Sequence, residues 1–320
     1  MTKKHIHWLL PGEYDELKSL KRQSFASIRL RAFVSSLNNH FYTFSFGEIM
    51  PLNTNILLIG KIGISNIDKR GLNWSNQIKM AYYNDCKIIL DYTDNHIMLN
   101  NPMTRFYKSI LPFITYAVTP SEQMSFILSN FWKGSIYTIY DAIDINITKW
   151  RNFENKSLLW FGHNTNLPFL LNFLNRHDAN LSDYSLKIIT NQKGIDYFNT
   201  NNNYNINVTT KLWTLDTFVK EASSCDICII PSDKTNLKKK GAGHNRLITS
   251  LALGLPTIAT MLPSYKQFKD YFIDIDSLEI INILKNRSVL KSKVILAQKK
   301  IVPLFLPKAI SRKWLKVFNK

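Results

Sequence analysis

The sequence predicts an α/β protein made of two halves of similar size, each a parallel β-sheet covered by helices. Short apolar runs typical of buried strands alternate with stretches of helical spacing along most of the 320 residues. The polar stretch 146–156 interrupts this alternation, and a second series of strands and helices begins at residue 157. Because strands that alternate with helices pair in parallel, each series predicts one sheet.

The first half contains four predicted strands, 55–61, 86–94, 114–121 and 135–144. Two stretches between them, NWSNQIKMAYYND and SEQMSFILSNFWK, have helical spacing, and Ser121 is a candidate N-cap of the second. The second half is predicted to contain strands 157–163, 185–191, DICIIPSD and 256–260. Its predicted helices are NLPFLLNFLNR, TLDTFVKEASSC with Asp216 as a candidate cap, and HNRLITSLAL.

These elements predict two domains, 1–148 and 149–304, joined near 146–156. The C-terminal stretch 305–320 is a candidate helix with Ile310, Trp314, Val317 and Phe318 on one face and Lys and Arg on the other. We expect it to pack back onto the first domain, and a helix lying on a membrane surface is the alternative. The Asn-rich stretch 199–210 predicts a loop with a short edge strand.

The formal net charge of +18, from 41 Lys and Arg against 23 Asp and Glu, favours anionic partners. No apolar stretch is long enough to span a bilayer, and none resembles a secretory signal. Cys225 and Cys228 have C-x-x-C spacing but lie within an apolar run, so we interpret them as buried structural thiols. The chain is therefore predicted to be cytoplasmic, with possible peripheral contact with an anionic membrane at its inner face.

The stretch KKKGAGHNRLITSLALGLPTIAT predicts an anion site. A helix begins at His244 or Asn245, and the free N–H groups and dipole of a helix start favour negative charge. Gly243 lets a ligand approach the backbone, and Arg246 can clamp a phosphate oxygen while Lys240 adds a mobile charge. The alternative interpretation is that these cations are simply exposed to solvent.

The strand DICIIPSD, a helix rich in Leu and Ala, and ALGLPTIAT together resemble the donor-binding half of GT-B glycosyltransferases. LLWFGHNTNLPFLLNFL is similar to the first strand and helix of that half, and YAVTPSEQMSFIL and IYDAIDI to the end of the N-terminal half. SIRLRA is similar to the first helix of the acceptor half. The resemblance implies two Rossmann-like domains facing a central cleft, with the nucleotide sugar held mainly by the second.

Carried over to this chain, the resemblance implies that Gly162 and His163 line the donor loop and that Ser232 lies beside the nucleotide. It also implies that Asn245 and Arg246 contact the phosphates. The chain departs from the widespread retaining members of that fold, which carry two glutamates around this helix. Gly241 and Thr249 occupy those positions here. The resemblance to the retaining members therefore predicts neither the donor sugar nor the stereochemistry of its transfer.

A second candidate constellation is DYTDNH, at the end of the strand 86–94. The carboxyl ends of parallel strands meet at one edge, where ligands bind. Transfer of a sugar with inversion needs a base for the acceptor hydroxyl. Asp94 is the first candidate for this base, with Asp91 and His96 as alternates. Two alternatives are that Asp94 and Asn95 only cap the next helix, and that Asp91, Asp94 and His96 bind a metal.

Arg29 and Arg31 form a third candidate, because one of them could reach a donor phosphate or an acidic acceptor. The function that these observations favour is transfer of a sugar from a nucleotide-sugar donor to a glycan or lipid-linked acceptor in bacterial surface polysaccharide or glycoconjugate biosynthesis. No metal or cofactor is required by the fold, and no nucleic acid is expected as a partner. The alternatives are a sugar-nucleotide epimerase or hydrolase on the same fold, and a basic nucleic-acid-binding protein.

Overall fold

The chain divides into two compact units in a computed structural model. The model describes residues 3–12, 41–143, 145–150, 155–201, 203–277, 282, 284 and 286–320. Unit 1 comprises Met1–Ala142, Asn236–His244 and Leu306–Lys320, and unit 2 comprises Ile143–Thr235 and Asn245–Phe305. The contacts therefore change unit at 142/143, a few residues before the expected boundary at 148/149. They also group 236–244 with unit 1, although this segment lies within the predicted second domain.

The described residues form one six-stranded parallel sheet in each unit. In unit 1 the strands are β1 (Lys4–Leu9), β2 (Tyr42–Gly47), β3 (Ile56–Ile59), β4 (Lys87–Asp91), β5 (Tyr116–Thr119) and β6 (Ser135–Thr138). In unit 2 they are β7 (Ser157–Phe161), β8 (Ser185–Thr190), β9 (Asn207–Leu212), β10 (Ile227–Ile230), β11 (Thr257–Ala259) and β12 (Ile273–Asp274). The spatial orders are β2-β1-β3-β4-β5-β6 and β12-β11-β10-β7-β8-β9.

Helices connect most of these strands. Through α5 they are α1 (Ile67–Tyr83), α2 (Pro102–Ile110), α3 (Glu122–Ser129), α4 (Leu167–His177) and α5 (Gln192–Thr200). The remainder are α6 (Leu215–Ala222), α7 (Leu237–Lys240), α8 (Asn245–Ala252), α9 (Arg287–Lys300) and α10 (Pro307–Phe318). Short 3₁₀ turns occur at Leu111–Phe113, Asn164–Asn166, Asp178–Leu181, Pro263–Tyr271 and Val302–Phe305.

The two faces of the unit 1 sheet bury separate cores. Alternate residues of a strand point to opposite faces, so Leu57 packs with α1, α2 and α3 around Trp74, whereas Leu58 packs on the other side. That second core contains Trp8 and Trp314, whose ring centroids are 6.2 Å apart. Helices therefore cover the sheet on both faces, as the alternation of strands and helices predicts.

The C-terminal helix α10 belongs to unit 1 and packs as the expected amphipathic helix. Its apolar residues Ile310, Trp314, Val317 and Phe318 are all buried in the core beside β1. This apolar face is occupied by protein and does not lie open to a bilayer. Within the described residues, we find no helix with both the length and the apolar composition that a membrane span needs.

The strand order of unit 2 places a topological switch point between β7 and β10. Counted from β7, the order is 3-2-1-4-5-6, so the connections leave these two neighbouring strands in opposite directions. Ligands of open parallel sheets bind in the crevice that forms at such a point, outside the carboxyl ends of the strands. The order therefore singles out the residues that follow Phe161 and Ile230.

Several local predictions can be compared with the structure. The Ser121 cap is confirmed, since its hydroxyl accepts a hydrogen bond from the backbone N of Met124 at 3.1 Å. The Asp216 cap is wrong, because the side chain of Thr214 caps α6 instead. β9 is an edge strand, as expected. β1 and β2 were not predicted, although β1 is paired on both sides within the sheet.

Cys225 and Cys228 are buried, as expected for structural thiols. Burial raises the pKa of each thiol to about 12, with smaller contributions from neighbouring charges. Both thiols therefore stay protonated at neutral pH, which makes them poor nucleophiles and poor metal ligands.

We predict that Gly254→Ala destabilises unit 2 by about 2 kcal/mol. Gly254 has φ of +77°, and an added Cβ would lie 2.7 Å from the carbonyl oxygens of Thr148 and Lys149. Thermal denaturation measures the effect. The control is Gly71→Ala in α1, where an added Cβ meets nothing closer than 3.7 Å. That variant should gain up to about 1 kcal/mol, and equal destabilisation of the two variants would contradict this account.

Candidate functional site

The switch point of unit 2 brings together Gly162, Ser232 and Arg246, three of the predicted donor-binding residues. Gly162 directly follows β7, and Ser232 lies two residues beyond β10. The backbone N of Ser232 donates to the hydroxyl of Thr260 at 2.9 Å, which ties this loop to the end of β11. The Ser232 hydroxyl oxygen is buried and has no hydrogen-bond partner among the described residues.

The guanidinium of Arg246 reaches the same edge of the sheet from the first turn of α8. A Cβ built on Gly162 would lie 3.5 Å from Arg246 Nη1. Nη1 is buried and has no hydrogen-bond partner in the part of the chain that the structure describes. An unpartnered buried donor on a charged group is costly, so this atom favours binding of an anion at the end of β7.

The charge of Arg246 persists despite its burial. Burial lowers the pKa of the guanidinium from its ordinary value, and Tyr265 and Cys228 oppose this shift. Arginine starts from a pKa above about 12, so the group remains protonated in the neutral range. The site in unit 2 therefore offers a permanent positive charge.

Helix α8 adds backbone donors next to this charge. It begins at Asn245 and buries Leu247, Ile248 and Leu251, so its orientation is fixed by core packing. The N–H groups of its first turn have no partners within the helix and carry the positive end of the helix dipole. Asn245 and Arg246 lie in this first turn, and their contact with an anion stays a prediction.

His163 also follows β7, where the prediction places the donor loop. Its side chain is exposed and caps the short 3₁₀ turn Asn164–Asn166, with Nδ1 3.1 Å from the hydroxyl of Thr165. His163 therefore has a structural contact of its own, and its contact with a donor stays a prediction.

Three further residues of the predicted anion site group with unit 1. Lys240, Gly243 and His244 belong to the segment 236–244, whose contacts lie with the first unit. The His244 ring packs edge-on against Tyr140, with centroids 5.3 Å apart. The stretch that looks continuous in sequence is therefore divided after His244, and Arg246 with Asn245 is the part that unit 2 holds.

The segment 236–244 is anchored in unit 1 by two hydrogen bonds to buried side chains. The Asn95 amide Nδ2 donates to the carbonyl of Leu237 at 2.8 Å, and the Ser121 hydroxyl donates to the carbonyl of Gly241 at 3.0 Å. A Cβ on Gly241 would lie 2.6 Å from the methyl of Met124. These contacts hold the three lysines of α7 near the carboxyl end of β4.

Asp94 forms an ion pair with Lys61 at the carboxyl ends of the neighbouring strands β3 and β4. Burial acts to raise the pKa of the Asp94 carboxyl, but the charge and hydrogen bond of Lys61 outweigh it, with help from His96 and Lys239. The pKa of Asp94 therefore lies below its ordinary value. The carboxylate is therefore ionised at neutral pH. Because its side chain is 43% exposed, it is also accessible to a substrate.

His96 and Asp91 are much less accessible than Asp94. His96 is 6% exposed and Asp91 is 2% exposed. The pKa of His96 is lowered by burial and by Lys61 and Lys238, against the opposing charge of Asp94. Its Nε2 lies 4.0 Å from Asp94 Oδ2, and neither ring nitrogen has a hydrogen-bond partner among the described residues. His96 is therefore a neutral imidazole beside the ionised carboxylate.

The loop that carries Asp94 is ordered by Tyr92, whose hydroxyl oxygen accepts hydrogen bonds from the backbone N of His96 and of Ile97 at 2.8 and 2.7 Å. The capping alternative for Asp94 and Asn95 is wrong, because Asn101 caps α2 by accepting from the backbone N of Thr104. The side chains of the DYTDNH stretch are thus free of that structural duty.

Arg29 and Arg31 lie outside the described residues. No group of three His, Cys, Asp or Glu side chains among the described residues could hold a metal ion. Lys61 was missed as a site residue, although it ends the predicted strand 55–61.

Comparisons with known proteins connect the chain to solved structures. No family model and no curated protein sequence matches it. An alpha-glucosyltransferase solved with UDP and a 13-mer DNA containing an HMU base is 10% identical, with a TM-score of 0.65 and 100% of both chains covered. The lipopolysaccharide outer core galactosyltransferase WaaB is 11% identical, with a TM-score of 0.56, 98% of this chain and 99% of WaaB covered.

S. aureus TarM is another similar structure, with 14% identity and a TM-score of 0.62 over 83% of this chain. The match covers 55% of TarM, so this chain spans about half the length of that protein. At such low identities the similarity concerns the fold. It confirms the predicted GT-B fold, with one Rossmann-like sheet in each unit.

We predict that Lys61→Ala raises the pKa of Asp94, because the charge that holds it down is removed. Carboxyl ¹³C NMR titration measures this shift. The depressed pKa means that the pair stabilises the wild type above the ordinary Asp pKa, and that this contribution is lost as the pH falls through the lower folded value. Lys69→Ala, an exposed lysine on α1, is the control. An Asp94 pKa unaffected by Lys61→Ala would contradict the assignment.

Proposed function

We propose that the protein is a glycosyltransferase that moves a sugar from a UDP-sugar donor to an acceptor hydroxyl. The observation that carries this proposal is the buried, unpartnered Nη1 of Arg246 at the switch point of unit 2. A nucleoside diphosphate supplies the anionic hydrogen-bond acceptor that this nitrogen lacks. TarM and the alpha-glucosyltransferase of similar fold are both solved with UDP, and WaaB is a galactosyltransferase. These structures support UDP as the nucleotide.

In this proposal Arg246 and the first turn of α8 bind the diphosphate. Negative charge develops on the leaving phosphate as the bond to the sugar breaks, and fixed donors aimed at that charge lower the barrier. Nη1 of the guanidinium is already buried at this edge before the substrate arrives. Gly162 and Ser232 complete the edge of this site, the latter with a buried hydroxyl that can accept or donate one hydrogen bond.

We propose that Asp94 is the base that accepts the proton of the acceptor hydroxyl, with His96 beside it. Asp94 is the accessible carboxylate of the DYTDNH stretch, and it is ionised at neutral pH. A carboxylate of depressed pKa is a weak base, so it acts best when the hydroxyl becomes acidic in the transition state. The neutral imidazole of His96 can accept that proton in turn.

The acceptor class extends beyond the expected glycan or lipid-linked acceptor. The alpha-glucosyltransferase of similar fold is solved with DNA, so the expectation that nucleic acid is excluded has no support. Glycans, lipid-linked acceptors and nucleic acids all belong in the acceptor panel. Biosynthesis of a bacterial surface polysaccharide, the absence of a metal requirement and a cytoplasmic location with peripheral membrane contact remain proposals.

The function is tested by incubating the protein with UDP-glucose, UDP-galactose and UDP-N-acetylglucosamine, with and without each acceptor class. We expect UDP release that depends on an acceptor. Conversion of a UDP-sugar to an isomer or to free sugar without any acceptor would support the epimerase or hydrolase alternative. Stabilisation by GDP- or CMP-sugars and not by UDP-sugars in thermal shift would contradict the nucleotide assignment.

Arg246→Ala should weaken UDP binding about 10- to 100-fold, because hydrogen bonds to a charged group contribute roughly 1.5–3 kcal/mol. Isothermal titration calorimetry with UDP measures the loss. The matched control is Arg176→Ala in α4, an exposed arginine of the same unit whose Nε donates to the carbonyl of Asn172. Unchanged UDP affinity of a folded Arg246→Ala protein would remove Arg246 from the site.

Asp94→Asn should lower kcat about 10²- to 10⁴-fold while UDP affinity stays as in the wild type. The substitution keeps the size of the side chain and removes its capacity to accept a proton. Steady-state kinetics with the active donor and acceptor measure kcat, and calorimetry measures UDP binding. A folded variant with wild-type kcat would rule out Asp94 as the base.

A further inference from the structure

The positive charge of the chain is concentrated in unit 1. The ranges that form unit 1 contain 23 Lys and Arg against 10 Asp and Glu, whereas those of unit 2 contain 18 against 13. The formal charges are therefore +13 and +5 for units of similar length. A general bias of the sequence toward lysine would raise the positive charge of both units alike. The asymmetry therefore indicates that unit 1 has a positively charged surface with a function separate from that of unit 2.

Five of the 23 Lys and Arg of unit 1 lie in residues 306–320, on helix α10 or just after it. We define the cationic row as Lys308, Arg312, Lys316 and Lys320, which follow one another at intervals of four residues and are all exposed. Each interval advances about 6 Å along a helix and turns about 40° around it. Lys308, Arg312 and Lys316 therefore run obliquely over about 12 Å, and Lys320 follows two residues after the end of α10, while the opposite side of the helix is fixed in the core.

Few groups near the row neutralise it. The final acidic residue of the sequence is Glu279, so α10 and its flanks contain none. Glu122 of α3 is close enough to act on Lys313, a residue of α10 outside the row. No member of the row forms an ion pair with a described carboxylate. Lys320 is bound to the hydroxyl of Tyr137 at 2.7 Å and keeps its charge. Lys308, Arg312 and Lys316 have no described side-chain partner.

Further cations lie at the carboxyl end of α10. The Nζ of Lys87 donates to the carbonyl of Phe318 at 2.8 Å. The pKa of Lys87 is lowered by burial and by the like charge of Lys4, so these two lysines are close enough to repel each other. Lys4 and Lys87 thus add positive charge at the carboxyl end of α10, where the row ends.

The surroundings of the row favour a water-borne polyanion over a membrane. Helices that lie on membranes combine cations with large apolar side chains that enter the interface. Residues 306–320 expose no large apolar side chain. Two isolated apolar side chains lie nearby, Leu304 just before α10 and Phe41, whose carbonyl accepts from the backbone N of Lys4. The exposed Leu72, Tyr83 and Phe126 belong to α1 and α3, which cover the opposite face of the sheet, so no continuous apolar face borders the row.

We propose that the cationic row is a docking surface for the phosphodiester backbone of a nucleic acid. One strand of duplex DNA carries a phosphate about every 3.4 Å along its axis, so the roughly 12 Å between Lys308 and Lys316 faces about three or four phosphates. Contacts of this kind are independent of base sequence. The inference does not rest on the proposed transferase activity, since UDP binding is assigned to Arg246 in unit 2.

The test compares two triple variants of equal net charge. The row variant carries Lys308→Gln, Arg312→Gln and Lys316→Gln. The control carries Lys193→Gln, Lys220→Gln and Lys266→Gln, three exposed lysines of unit 2. Fluorescence anisotropy with a labelled 20-bp duplex is measured between 50 and 200 mM salt. Sedimentation with vesicles containing phosphatidylglycerol gives the membrane arm, and UDP calorimetry with thermal denaturation checks that both proteins are folded.

We expect the wild type to bind the duplex, and the slope of log K against log salt to be smaller by about 2.7 in the row variant, from about 0.9 for each lost phosphate contact. The control should change the slope by less than one. Absence of duplex binding by the wild type at 50 mM salt, or equal losses in both variants, would overturn the proposal. So would a loss of vesicle binding specific to the row variant with duplex binding intact.

Discussion

Parallel pairing of all strands in each sheet is the constraint on which the rest of the structure depends. It places every strand's carboxyl end at one edge and every connecting helix on a face. In unit 2 the order reverses direction between β7 and β10, and the loops after these strands diverge. Gly162 and Ser232 lie on those two loops, and α8 with Arg246 follows the second. The candidate donor site is thus a consequence of strand order before any side chain is considered.

The charged groups at the two sheet edges are in opposite electrostatic states. Asp94 in unit 1 already has a counter-ion in Lys61, which keeps the carboxylate ionised and its pKa low. Arg246 in unit 2 has a buried nitrogen without a described partner. The first arrangement is complete within the protein, whereas the second is completed by an anion. That difference is why the phosphate assignment depends on Arg246 and not on the more numerous lysines of α7.

Features set by local pattern were predictable, and features set by distant contacts were not. Apolar periodicity predicted most strands and helices, and the helical spacing that follows Ser121 identified this residue as the N-cap of α3. The β1 strand was missed, although His5 and His7 alternate with buried Ile6 and Trp8. The grouping of 236–244 with unit 1 depends on bonds from Asn95 and Ser121, over 100 residues away. The pairing of Asp94 with Lys61 likewise depends on the adjacency of β3 and β4, which single-sequence periodicity does not reveal.

The position of bound UDP tests the central claim most directly. In a crystal structure of the protein with UDP, we expect the diphosphate at the amino end of α8, within hydrogen-bond distance of the Arg246 guanidinium and beside Gly162. Binding there would give the buried nitrogen its missing partner. A diphosphate bound instead by the lysines of α7, with Nη1 of Arg246 still unpartnered, would contradict the account.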